Sequence, residues 1–159
     1  MPSIAKSVAT LRVFGDTLVP EEVTALLGVV PTSGYRKGDV RPVRGGSSIT
    51  RKTGMWRLEV NDREPEDINA QVTELLVRLS PDLDVWQQLS QKYKIDLFCG
   101  LFMDTTNEGL CLSPSTLMAL GERRIMLGLD IYAPSRELLP NELCPCGSGE
   151  VYGDCCGLG

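Results

Sequence analysis

The ten residues at 94–103, KIDLFCGLFM, are apolar on both faces that an extended chain presents. Successive side chains of a strand point to opposite sides, so such a strand needs neighbours and cover and belongs inside a sheet. The rest of the chain supplies the partners. Residues 8–15, VATLRVFG, alternate, with Ala9, Leu11 and Val13 on one face. Residues 54–60, GMWRLEV, set Met55, Arg57 and Glu59 opposite Trp56, Leu58 and Val60. RIMLGLDIY at 124–132 reads as a closing strand with Ile125, Leu127, Leu129 and Ile131 facing together, and LCL at 110–112 as a brief extended piece.

Helices are punctuated between these strands. VPEEVTALLG has Pro20 in its first turn, Glu21 and Glu22 at the positive end of the helix dipole, and Gly28 as its stop. Ile68, Val72, Leu75, Leu76 and Leu79 recur at helical spacing, which predicts a helix over 66–79, and Val85, Trp86, Leu89 and Tyr93 predict another over 82–93. In SPSTLMALG, Ser113 is placed as the N-cap with Pro114 just inside. PEEVTAL at 20–26 echoes PSTLMAL at 114–120. The class expected is α+β: a mostly antiparallel sheet with helices packed on it, in a pseudo-duplicated, ferredoxin-like arrangement, plus a small C-terminal element.

Composition narrows the function classes. Hydrophobic residues are 42% and charged residues 23% of 159, ordinary for a globular chain, and no apolar run reaches the roughly 18 residues of a membrane span. The start lacks a secretory signal pattern, so the expected location is the cytoplasm, where thiols are kept reduced. The net charge of −5 disfavours nucleic acid without excluding it. The charge is unevenly spread: residues 34–57 hold seven basic side chains against Asp39, a local +6, so with the whole chain at −5 the remainder carries −11. VRPVRGGSSITRKTG at 40–54 reads as a loop or loose hairpin within it.

There is no histidine, which removes the usual serine and cysteine triads and histidine-based metal catalysis; no catalytic set is assigned. Asp16, Asp39, Asp104 and Asp130 fall near strand ends and are read as caps or turn residues rather than an acid–base pair. Cys99 and Cys111 are read as buried core thiols. Arg36, Lys37, Arg51, Lys52 and Arg57 are the candidate anion-binding residues, with Tyr35 or Trp56 available for stacking.

The tail, CPCGSGEVYGDCC at 144–156, packs four cysteines into thirteen positions. Cys144 and Cys146 could supply two ligands of a tetrahedral zinc site and Cys155 and Cys156 two more, with Pro145 fixing the chain between the first pair and Gly157 relieving the backbone beyond the second. Two disulfides would need an oxidising compartment, and a redox switch usually shows Cys-x-x-Cys beside a helix. Four thiolates would leave no open position for water, so the site is read as structural. Tyr152 is read as a small-core residue of the knuckle.

Cys-x-Cys-Gly-Ser-Gly-x-x-Tyr-x-x-Cys-Cys resembles the SEC-C motif, the zinc-binding C-terminal element of the SecA preprotein-translocase ATPase that also ends many small bacterial proteins. The resemblance implies Cys144, Cys146, Cys155 and Cys156 as ligands and zinc as cofactor. It also implies a binding role, for a chaperone in SecA and for ribosomes or anionic lipid in related tails, commonly through lysines. Here Glu150, Gly153 and Asp154 stand where lysines are common, which favours a protein partner.

The stretches LRVFGDTLVPEEVTALLGVVPT, YRKGD, TGMWRLE, CGLFMD and LSPSTLMALGERRIMLGLDIY, in that order, resemble an uncharacterised, mainly bacterial family, domain of unknown function 4279. The organisation expected is an α+β domain over 1–136, a linker over 137–143 and the knuckle over 144–159. The expected function is a non-catalytic, zinc-containing interaction or adaptor protein. The alternative is a small-ligand or anion-binding domain, perhaps enzymatic, using the basic segment 36–57.

Overall fold

The computed structural model describes residues 3–134, 139–144 and 146–156. The elements run β1 (Lys6–Gly15), α1 (Pro20–Leu27), β2 (Ser33–Tyr35), β3 (Val40–Pro42), β4 (Ser48–Thr50), β5 (Gly54–Glu59), α2 (Ile68–Leu76), α3 (Leu83–Lys92), β6 (Lys94–Phe102), α4 (Pro114–Glu122) and β7 (Met126–Tyr132). Five strands form one sheet in the order β2-β5-β1-β6-β7, and β3 and β4 form a separate hairpin. All pairings are antiparallel except β6 with β7. The class is α+β with a mostly antiparallel sheet, and KIDLFCGLFM lies inside it, between β1 and β7.

The alternation seen in the sequence decides which face is covered. Ala9, Leu11, Val13, Trp56, Leu58, Leu97, Cys99 and Leu101 all lie on one face and are buried. α1 packs there against β5, α2 against β1, α3 against β6 and α4 against β7. Both indoles of the core are satisfied, Trp56 Nε1 donating to Thr24 Oγ1 at 3.0 Å and Trp86 Nε1 to the Ser80 carbonyl at 2.8 Å.

The opposite face carries no helix among the described residues. It holds a bidentate pair, Arg12 Nε and Nη2 donating to Asp96 Oδ1 and Oδ2 at 2.8 and 2.6 Å, with the guanidinium 4.4 Å from the Phe98 ring centroid. Asp96 is only 4% exposed. Farther along, Phe102 and Tyr132 stack at 4.7 Å.

Local chemistry sets the helix ends. Pro20 opens α1, and Gly28, at φ 81, closes it by donating its N–H to the Thr24 carbonyl. Asp67 caps α2 through Ala70 N at 2.8 Å, and Ser113 caps α4 through Thr116 N at 3.1 Å.

Four expectations are corrected. The helix expected over 66–79 is α-helical only from Ile68 to Leu76, because Arg78 and Leu79 donate three residues back, tightening the chain enough to bury Leu79. LCL at 110–112 is not a strand: Asn69 on α2 donates to the Cys111 carbonyl and accepts from Ser113 N and Thr116 Oγ1, so a side chain binds backbone that a strand partner would otherwise take. Leu110 and Leu112 still pack on the core, and Cys111 between them is exposed rather than buried. Ile125, Leu127, Leu129 and Ile131 share a face, but the cover runs out along β7, leaving Leu129 43% and Ile131 57% exposed.

The echoed heptapeptides form α1 and α4, each following a central strand, β1 or β6, and leading towards its neighbour, β5 or β7. The halves differ in sense, because β5 runs antiparallel to β1 while β7 runs parallel to β6. The pair α2–α3 also separates the halves, so the repeat is one of element order and does not take the ferredoxin-like form.

Candidate metal centre

Order in the tail begins in its backbone. Leu143 bridges antiparallel to Val151, and Cys144 N donates to the Glu150 carbonyl at 2.8 Å. Upstream, Tyr152 N donates to the Glu142 carbonyl at 2.6 Å and Gly153 N to that of Pro140 at 2.8 Å. The hydrogen-bonded unit therefore reaches back to Pro140, before the first cysteine. Positions 135–138 fall outside the described residues, as do Pro145 and Gly157 with the roles expected of them.

The chain reverses at 146–149 using Gly147 and Gly149, at φ 83 and 81, a region side chains rarely adopt. A single 3-10 turn, Tyr152–Asp154, then carries the last two cysteines round to the first two.

This path gathers the four sulfurs. Cys144, Cys146, Cys155 and Cys156 have Sγ atoms all within 4.8 Å of one another, with 3.5 Å between Cys146 and Cys155 and 3.8 Å between Cys155 and Cys156. All four are free thiols. Metal–sulfur bonds of about 2.3 Å in a tetrahedron place sulfurs about 3.8 Å apart, so the donor set has the separation and softness of a tetrahedral thiolate site. The group could hold a metal ion.

The electrostatics of the cluster agree with a cationic occupant. The Ser148 hydroxyl and amide, with hydrogen bonds from Cys144 and Cys155, bring the Cys146 thiol down to about 6. Hydrogen bonding with Cys144, Cys155 and Cys146 holds the Cys156 proton on, up to about 12. One thiolate forms easily and the last only with difficulty, since sulfurs this close repel once ionised. A divalent cation removes that repulsion. Ser148 Oγ lies 3.4 Å from Cys155 Sγ and accepts from Glu150 N at 3.2 Å, so it links the sulfur to the backbone.

Glu150 and Asp154 are exposed, and Tyr152 is half-buried. Cys144 is the buried member of the cluster, at 5%.

The basic residues singled out in the sequence do not form one group. Arg36 Nη2 donates to Glu21 at 3.0 Å, Lys37 pairs with Asp16, and Lys52 is exposed. Arg51 instead lies 4.0 Å over the Tyr35 ring, and Arg57, paired with Glu59, faces the same space together with Arg41 and Asp39.

The four aspartates near strand ends are apart and locally engaged. Asp16 holds Lys37, Asp39 Oδ2 accepts from Arg36 N at 2.8 Å, Asp104 N donates to Glu108, and Asp130 Oδ2 accepts from the Tyr132 hydroxyl at 2.7 Å. Sequence reading passed over Arg41 and the Arg12–Asp96 pair. A charged residue inside the apolar run 94–103 was the available signal for Asp96, because a buried acid requires a partner.

Two family models match the chain. The model described as Domain of unknown function (DUF4279) covers residues 5–134, and the SEC-C motif covers 141–158. No curated protein and no solved structure gives a match. No helix among the described residues is long and apolar enough to cross a membrane.

Proposed function

Since the chain belongs to the family of Domain of unknown function DUF4279, whose description names no activity, we propose that its function centres on the tail: a structural zinc knuckle that presents a surface to a protein partner. Cys144, Cys146, Cys155 and Cys156 hold the ion. One observation carries the reading, the gathering of four free thiols within 4.8 Å in a segment whose only buried side chain among the described residues is that of Cys144. Bound zinc would neutralise the thiolates and cross-link the segment. The chain's own residues do the rest: Ser148 orients Cys155, the Glu142 and Pro140 carbonyls anchor the 3-10 turn, and Gly147 and Gly149 allow the reversal. Four protein ligands leave no place for a reacting water, so the site is non-catalytic. A site built from four reduced thiols is best supported by a reducing compartment such as the cytoplasm.

The exposed acids Glu150 and Asp154 repel phosphate and fit a neutral or basic protein surface. The test is metal content by elemental mass spectrometry on the full chain and on a Cys144→Ser/Cys146→Ser variant, with quantitative affinity capture on both. Near one zinc per chain, lost together with a defined set of captured proteins in the variant, is the expected result. Purified chain that binds no zinc, or identical capture by both forms, overturns it.

A further inference from the structure

On the helix-free side of the sheet, at its β2 end, Tyr35, Asp39, Arg41, Arg51 and Arg57 line a cavity of about 490 Å³, within the range of small-ligand sites. Three elements converge there. Tyr35 comes from edge strand β2, Arg57 from β5, and Arg41 from the hairpin, with Arg51 just after it.

The guanidinia of Arg41 and Arg51 are not spent on the protein itself. Among the described residues neither Arg41 nor Arg51 has a carboxylate partner. Arg51 is held flat by stacking on Tyr35, which leaves the edges of its planar fork to donate. Arg57 reaches Glu59 through Nη2 only, and its Nε is buried with no acceptor. Asp39 is turned to the backbone through one oxygen, Oδ2, which accepts from Arg36 N.

We propose that this cavity binds a small, doubly charged organic oxyanion, a phosphate monoester or a dicarboxylate, with Arg41, Arg51 and Arg57 as donors and Asp39 accepting from a hydroxyl or amino group of the ligand. With Arg57 already facing Glu59, the two unpartnered guanidinium groups of Arg41 and Arg51 are what match a dianion rather than a monoanion. The site is independent of the metal reading, because no residue of it belongs to the tail.

The test follows backbone amide signals of the full chain by NMR as inorganic phosphate, and separately succinate, is added against potassium chloride at matched ionic strength. Saturable shifts confined to Gly34, Tyr35, Arg51 and Arg57, with phosphate or with succinate, are expected and say which oxyanion is taken. Arg51→Gln and Arg41→Gln, both at exposed or half-exposed positions, weaken that binding at least tenfold while leaving other signals in place. Shifts that never saturate, or equal affinity in both variants, overturn the proposal. So does a single-stranded oligonucleotide that binds with affinity rising with each added nucleotide, since that identifies a polymer rather than a small ligand.

Discussion

Every buried apolar side chain among the described residues belongs to the domain ahead of residue 135, except one, Cys144. The domain is ordered by a layer of helices on a sheet, with many side chains contributing to one core. The tail has a few backbone hydrogen bonds, two glycines in a reversed conformation and a cluster of sulfurs. Removing one contact from the first should weaken it in proportion to the volume lost. If the tail holds the proposed metal, removing one cysteine from the cluster should abolish its order, because a segment this short cannot replace a metal with burial. The two regions should therefore respond to different insults and ignore each other's.

Trp56→Ala is the harshest break in the domain. Trp56 is fully buried and its indole is hydrogen-bonded, so truncation costs about 3–5 kcal/mol. Urea unfolding monitored by Trp86 fluorescence should report this loss while zinc content stays the same. A parallel loss of metal would join the two regions into one cooperative unit and end the contrast.

Asp96→Ala tests whether the domain also depends on a single polar group. Asp96 is buried against Arg12, whose side chain remains 29% exposed, so losing the acid leaves a part-solvated guanidinium and costs about 2 kcal/mol. Arg12→Leu/Asp96→Leu should recover much of it in the same urea experiment. No recovery would mean that the pair specifies the packing of β1 on β6 beyond its charge.

These cases also show what could be read in the sequence. Strand alternation located β1 and β5, a run apolar on both faces located β6, and Pro20, Gly28, Ser113 and Pro114 marked helix ends, because those signals act between near neighbours. The cysteine spacing anticipated the gathering of the four sulfurs for the same reason: a short loop keeps its side chains together whatever surrounds it. Arg12 and Asp96 are 84 positions apart, and Tyr35, Arg41 and Arg57 meet only once β2, β5 and the hairpin are in place. Nothing in the local pattern fixes such partners. Cys111 failed for a related reason, since the Asn69 side chain on another helix decides how its backbone runs.

Thiols distinguish the regions by pH. Burial, aided by the charge of Asp96, raises the Cys99 thiol from 9.0 to about 12. A thiol that ionises more readily in the unfolded chain contributes stability that is complete below pH 9 and is lost as the pH rises from 9 towards 12. The loss runs at up to about 1.4 kcal/mol per pH unit. The stability of the parent should therefore fall more steeply over that window than that of Cys99→Ala. Parallel curves would show that the buried thiolate is tolerated. Metal loading of the tail should move the other way, improving as pH rises from acid to neutral because its ligands must lose protons to bind.

The mildest change tests the tail alone. Gly147 sits at φ 83 with no atom within 4 Å of the position a Cβ would take, so Gly147→Ala introduces conformational strain and no clash. That strain is about 1 kcal/mol. If the reversal at 146–149 exists to bring Cys146 to Cys155, the strain should appear as a roughly fivefold weaker affinity for zinc in competition with a chelator. The domain's urea midpoint should not move, because among the described residues no hydrogen bond of the reversal reaches it. Unchanged zinc affinity would mean that the tail reaches its metal-bound form by another backbone path, leaving the cysteine spacing, rather than the glycines, to define the site.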